Sequence, residues 1–233
     1  MPIFCLRKLS VFFVLIVCLF GSSLGFAHGV DASTERFLLA NQGVAIGPFL
    51  YIGAKHMVTG YDHLLFLLGV IFFLFRKRDV LLYVSLFTLG HSSTLLFGVF
   101  NDIALNPYLI DAVIALSIVY KGFDNLSGFK VFFGVQPNTR VAVVVFGLFH
   151  GFGLATKLQD FALPKAELWK NLLAFNVGVE LGQFIALAFI LIGLSFWRRY
   201  PSYYSFSAVT NTVLMSAGLV LFGYQMFGYS LVG

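Results

Sequence analysis

Charged side chains are scarce in this chain. Asp, Glu, Lys and Arg make up 11% of 233 residues, where a soluble domain carries about a quarter. With 59% hydrophobic residues, polar surface is too limited for a soluble fold, and the chain reads as an integral membrane protein. Cysteine is nearly absent. Cys5 and Cys18 are the only two, and both lie in the first 18 residues. Once a leader is removed no thiol remains, which excludes disulfides and thiolate metal sites. A basic surplus is also missing. The formal charge is +5 from 15 basic and 10 acidic residues. Without Arg7 and Lys8 of the leader, 13 against 10 leaves +3, which provides no basic face for nucleic acid. No nucleotide-binding motif is present, so any transport is passive or ion-coupled. Connecting loops are short, which leaves no room for a soluble module.

The N-terminus carries the pattern of a secretory signal. Arg7 and Lys8 form a charged region, Leu9 to Phe20 an apolar one, and Gly25 and Ala27 a small-residue cleavage site. Residues 1–27 are therefore expected to be a signal peptide, with His28 the new N-terminal residue. The rival reading is an uncleaved anchor. Leu15-Ile-Val-Cys18 lacks the small residue of a lipoprotein site. Residues 28–46 read as an exported segment, and 47–233 as one transmembrane helical domain.

Hydropathy places six spans at about 48–75, 80–100, 107–124, 141–158, 169–196 and 205–227. The expected fold is thus all-α, a polytopic membrane helix bundle. Arg76-Lys77-Arg78, Lys121, Lys130, Arg140 and Arg198-Arg199 gather on one side, which the positive-inside rule makes cytoplasmic. The other side has Arg36, Lys55, Lys157, Lys165 and Lys170, diluted by acids. The expected location is the inner (plasma) membrane, N-terminus on the exported side, with Gly233 there too. Thr88-Leu-Gly-His91 and Gly147-Leu-Phe-His150 look alike and suggest a parallel helix pair.

Against this apolar background the polar residues stand out. Ionisable groups in hydrocarbon usually face a bundle interior and mark an ion or proton path. His and carboxylate together also suit divalent transition metals. At about 1.5 Å rise per residue, Asp62 and His63 lie roughly 20 Å above the cytoplasmic edge, His91 roughly 18 Å, His150 roughly 15 Å and Glu180 roughly 27 Å. Gln183 is one turn below Glu180. The groups of four helices therefore share a slab in the middle to outer half of the membrane. Asn176, Glu180 and Gln183 share one helix face. Gly178-x3-Gly182 and Gly147-x3-Gly151 allow close helix approach. His56 and His63 are about 10 Å apart along an unbroken helix, too far for one ion, unless Gly60 breaks the helix and folds His56 back.

Plainer explanations compete. A lone His can be an interhelical donor, and Asn176, Glu180 and Gln183 can be polar glue. Asp111 is expected at the rim in reach of water, and Lys121 with Asp124 as a solvated pair. Ser92, Ser93 and Thr94 can bond the preceding turn. His28 offers an α-amine and imidazole chelate if cleavage occurs.

The chain also resembles a known family. His56-x5-Asp62-His63 matches the signature of the HupE/UreJ membrane proteins, accessory to nickel hydrogenases and ureases. Gly60-Tyr-Asp-His-Leu-Leu-Phe66, Gly90-His-Ser-Ser-Thr-Leu95, Phe149-His-Gly-Phe-Gly-Leu-Ala155 and Asn176-Val-Gly-Val-Glu-Leu-Gly-Gln183 are similar to its divergent second branch. The resemblance implies a nickel permease with a cleaved leader and metal contacts at His56, Asp62, His63 and His150. The better-known branch continues Phe-His-Gly with a second His-Gly and a Glu. Here Gly153-Leu154-Ala155 stand instead, so one His and one acid are missing.

Two functions follow as expectations. The first is a permease for nickel, or for cobalt, copper or zinc, binding the ion at His56, Asp62, His63, His91, His150 and Glu180. His28, Ser92, Asn176 and Gln183 are accessory, the partners are the lipid bilayer and the ion, and a homo-oligomer is compatible. The second is an intramembrane zinc hydrolase built from the same cluster, with Asp62 or Glu180 as base and Ser92 polarising. A third, a metal sensor or chaperone subunit, has no docking tail to support it. Below His150 the permease needs a polar route, yet the sequence there is apolar, with Ser85, Thr88, Ser117 and Ser195 as the polar steps.

Overall fold

The computed structural model describes residues 44–159 and 168–232. The expected signal peptide, most of the exported segment and His28 lie outside the described residues. The elements are α1 (Ile46–Thr59), α2 (Tyr61–Ile71), α3 (Lys77–Phe100), α4 (Pro107–Asn125), α5 (Gly128–Phe133), α6 (Thr139–Gln159), α7 (Leu168–Trp197) and α8 (Ser202–Val232). No strand occurs among the described residues. Four helices, α3, α6, α7 and α8, are long and apolar enough to cross a membrane. The chain is a multi-pass membrane protein. The stretch expected as the first span is two short helices, of 14 and 11 residues, broken at Gly60.

Three helix pairs organise the bundle, and glycine sets each one. In the α1–α7 pair, a Cβ on Gly53 would meet Phe175 O, and one on Gly178 would meet Leu50 O. Gly182 lies against Ala54 in the same way: a Cβ on it would come 2.5 Å from the Ala54 carbonyl oxygen. In the α3–α6 pair, Gly90 abuts Val144 O and Gly151 abuts His91 O. Thr94 Oγ1 also donates across it to Leu148 O at 2.7 Å. In the α4–α8 pair, Gly122 faces Asn211 O and Gly218 faces Ala115 O. With no hydrophobic drive inside lipid, this close backbone approach is the main source of helix association.

The glycine registers also give direction. Along α1–α7, Leu50 matches Gly178 and Ala54 matches Gly182, so those helices run parallel. Along α3–α6, Gly90 matches Val144 and Gly98 matches Ala155, again parallel. The likeness of the two His-containing segments therefore has a structural counterpart. Along α4–α8, Ala115 matches Gly218 and Gly122 matches Asn211, which is antiparallel.

The short α2 lies at the centre, packed against α1, α3, α4, α7 and α8. Its last carbonyls have no partners within the helix, and other helices supply them. Arg198 Nη2 donates to Ile71 O at 2.7 Å and to Phe72 O. Tyr203 OH donates to Phe72 O, and Asn125 Nδ2 to Gly69 O at 2.8 Å. The clamp fixes α2 at one end and leaves Asp62 and His63 at the other. Around it Phe66, Leu67, Val70, Ile71, Phe72, Val84 and Phe87 form a buried core.

Two charged groups differ from expectation. Lys121 and Asp124 are 6% and 8% exposed, not solvated, and pair at 2.6 Å. Gln136 and Thr139 also donate to Asp124. Asp111 is 6% exposed rather than at a watery rim, and Lys157 Nζ reaches its two oxygens at 2.9 and 3.2 Å. The reason is coverage. Neighbouring helices on α4 exclude water, so each carboxylate takes a cation and donors in its place.

Candidate metal centre

Gly60 is where the site begins. Its backbone (φ −72°, ψ 98°) leaves the helix, with its N–H still bonded to His56 O at 2.9 Å and its carbonyl accepting from Leu64 N at 3.1 Å. This geometry does not itself require glycine. Space does: a Cβ here would lie 2.8 Å from His63 Nδ1, 2.9 Å from His56 O and 3.2 Å from Asp62 Oδ1. The break also brings His56 back, so the His56 and His63 ring centroids are 5.0 Å apart.

Asp62, His63 and His150 form the core of the site. Each offers a ligand atom within 4.8 Å of the others, and all three are buried. Asp62 and His63 come from the first turn of α2, His150 from the middle of α6. His63 Nδ1 and Asp62 Oδ1 are 3.1 Å apart. His150 Nδ1 lies 2.7 Å from Phe146 O on its own helix. A carbonyl only accepts, so Nδ1 carries the proton and Nε2 keeps its lone pair. Metal-binding histidines have this arrangement, one nitrogen donating to a carbonyl or carboxylate and the other turned to the ion. His150 Nε2 is buried with no hydrogen-bond partner. A buried polar atom left so costs about 1–3 kcal/mol, which an ion or water would recover.

His91 stands beside this core, its ring centroid 6.4 Å from that of His63. It is 1% exposed, and neither ring nitrogen has a hydrogen-bond partner. Its atoms fall outside the three-residue set. Together, the structure gathers His56, Asp62, His63, His91 and His150 around one locus on four helices. Beneath them lies an aromatic floor. Phe87 and Phe66 centroids are 4.9 and 5.6 Å from His150, and Phe146 is 5.8 Å from Phe66. A small void beside His63, with room for the centre of a single water molecule at about 10 Å³, is bounded by Met57, Phe66, Val84, Phe87 and Gln183.

The remaining expected residues lie elsewhere. Glu180 is exposed and lines a groove between α3 and α7, with Ser92 on the opposite wall. Neither joins the set formed by Asp62, His63 and His150. Asn176 is buried, donating to Leu172 O at 3.0 Å, with its Oδ1 lacking a partner. Gln183 is buried and bridges helices: Thr88 Oγ1 donates to its Oε1 at 3.2 Å, and its Nε2 to Val84 O at 3.4 Å. Sequence reasoning missed the phenylalanine floor and the Arg198–Tyr203–Asn125 clamp. Arg198 carried a signal, but as half of a basic pair it marked only the membrane side.

A family model described as HupE / UreJ protein matches residues 32–232. No curated protein and no solved structure matches the chain. The match spans most of the sequence, and the chain belongs to the HupE/UreJ family.

Proposed function

We propose that this chain is a divalent metal permease of the inner (plasma) membrane, with its N-terminus on the exported side and nickel as its cargo. The carrying observation is the buried triad of Asp62, His63 and His150, drawn from two helices into a space of one ion's size. Imidazole and carboxylate suit nickel, cobalt, copper and zinc, and the lack of thiolate disfavours copper(I). His56 and His91 stand ready as further nitrogen donors as the ion moves. A single carboxylate among imidazoles holds a cation without trapping it, which conduction requires. Family membership and the buried orphan nitrogens support the same reading.

The hydrolase alternative gains no support from the family. Of the residues it would use, Asp62 stands within the cluster as a base, but Glu180, the other candidate base, and Ser92, the polarising group, line the groove rather than the void beside His63.

The deciding experiment is metal content of purified, detergent-solubilised protein beside a His63→Ala variant, with nickel uptake into proteoliposomes. Little retained metal, nickel binding on addition, and loss of binding and uptake in the variant are expected. Stoichiometric zinc retained through purification would favour the hydrolase instead. No binding under any condition would leave the histidines as helix glue.

A further inference from the structure

The permease reading leaves one difficulty. Directly below the histidines the way is closed by Phe66, Phe87 and Phe146, whose rings pack on His150 and on one another. An ion stripped of water does not cross such a floor. The structure offers another route to the side, and it turns on one residue.

Gln183 borders two spaces. On one side it lines the void beside His63. On the other it lines the groove between α3 and α7, which holds room for water centres of about 310 Å³. Water occupies about 30 Å³ in the liquid, so several fit. The groove is bounded by Leu81 and Leu89 but also carries Ser85, Thr88, Ser92 and Glu180. These are not the side chains of a lipid-facing surface. A carboxylate facing hydrocarbon costs a few kcal/mol, and no described cation forms an ion pair with Glu180. Along α3 the groove descends from Ser92, next to His91, to Leu81, four residues or about 6 Å from the helix start at Lys77.

We infer that this groove is a water-filled lower half of the cation path, joined to the histidine site through Gln183. The inference rests on the permease reading. Gln183 is suited to a gate. Its two bonds to α3, at 3.2 and 3.4 Å, are long and therefore weak. Val84 and Gln183 both border the two spaces, and of the two only Gln183 is polar; its amide oxygen is itself a cation ligand. Glu180, one turn above Gln183, adds negative charge at the upper end of the groove and draws the divalent ion through the gate before it descends past Thr88 and Ser85. The path leaves sideways because α3 and α7 touch little. No glycine draws them together, and Gln183 fills the gap.

The test is thiol accessibility in proteoliposomes. With Cys5 and Cys18 replaced by serine, Ser85→Cys, Ser92→Cys and Phe189→Cys are each reacted with a charged, membrane-impermeant methanethiosulfonate added to both faces. Thiolates form in water and not in lipid, so Ser85→Cys and Ser92→Cys should label at least about tenfold faster than Phe189→Cys. Phe189 is 73% exposed and lies outside the groove, so exposure alone does not account for such a difference. It stands eight residues from the end of α7 at Trp197, as Ser85 stands eight from the start of α3 at Lys77. Added nickel should slow the labelling. In parallel, Ser85→Leu should cut nickel uptake by at least about fivefold while leaving equilibrium nickel binding intact. Labelling at the Phe189→Cys rate would mean a dry groove filled by lipid or a neighbouring helix, and would overturn the path alone if the wild type takes up nickel. Unchanged uptake in Ser85→Leu would also overturn it. A wild type that takes up no nickel would overturn the permease reading, and this path with it.

Discussion

Two polar regions sit at neighbouring levels of this bundle and are built in opposite ways. His91 and Ser92 are adjacent in sequence, yet one belongs to each. The histidine site is closed. Gly147 and Gly151 draw α6 onto α3, and Gly60 lets the chain turn tightly over His63. Phenylalanines seal the space below. The groove is open because α3 and α7 have no such glycine contact and are bridged by Gln183 and Thr88 alone. Identical helix chemistry thus gives an enclosed histidine cluster where small residues permit backbone contact, and an open, partly polar cleft where they do not.

The comparison breaks most severely if the glycine contacts are removed. Gly151→Leu drives a side chain into His91 O and Thr94 Oγ1. It should destabilise the fold by about 3 kcal/mol or more, seen as aggregation or a large fall in Tm in detergent. Gly193→Leu, where no atom lies within 4 Å, should leave Tm unchanged. If both behave alike, close packing is not what encloses the site. Next in size is the ligand set. His150→Ala should lower nickel affinity by at least about 100-fold, more than loss of a supporting residue would, as measured by equilibrium dialysis. Gly60→Ala is a finer probe. It leaves every donor in place but crowds His63 Nδ1, so an affinity loss of about tenfold is expected, with Tm little altered. Arg198→Ala removes two bonds of the clamp on the far end of α2 and leaves those of Tyr203 and Asn125. It should cost about 1–3 kcal/mol of stability, with affinity reduced less than in Gly60→Ala. The smallest effect belongs to the groove. Thr88→Val deletes one interhelical bond and should cost about 0.6 kcal/mol without measurable loss of nickel binding.

Much of the site was legible in one dimension. Asp62 and His63 announced themselves because charge at the mouth of an apolar run is costly. The spacings of Gly147 with Gly151 and of Gly178 with Gly182 marked two faces of close approach, but not which helix each face meets, and the α4–α8 contact at Gly122 and Gly218 carried no such spacing. The register of Gly60 made a break foreseeable, since only a break reconciles His56 with His63. Depth was legible too, because helical rise converts residue number to height. Rotation about the helix axis was not. Glu180 shares a helix face with Gln183 and Asn176, but sequence could not say which neighbour that face meets. Asp111, Lys121 and Asp124 read as rim residues because they lie near helix ends. Their burial comes from α6, α8 and the residues between α4 and α6, whose placement on α4 is set by packing and not by the local pattern. The phenylalanine floor was invisible for the same reason: phenylalanine is abundant here, with 29 copies, and nothing local distinguishes Phe66, Phe87 and Phe146 from lipid-facing Phe189, which is 73% exposed.

The sequence by itself determined the solvent, the helical class and the chemical menu. Hydrocarbon tolerates only backbones that satisfy their own hydrogen bonds, and a chain whose only two cysteines lie in its first 18 residues, and with few acids, can offer an ion in the helices that follow little but imidazole and carboxylate. Tertiary structure decided which of those groups meet. That choice depends on which helices pair and at what rotation, set by glycine-to-carbonyl contacts between segments that lie from 54 (Gly90 and Val144) to 128 (Leu50 and Gly178) residues apart. It put His63 and His150 on one side of Gln183 and Glu180 on the other.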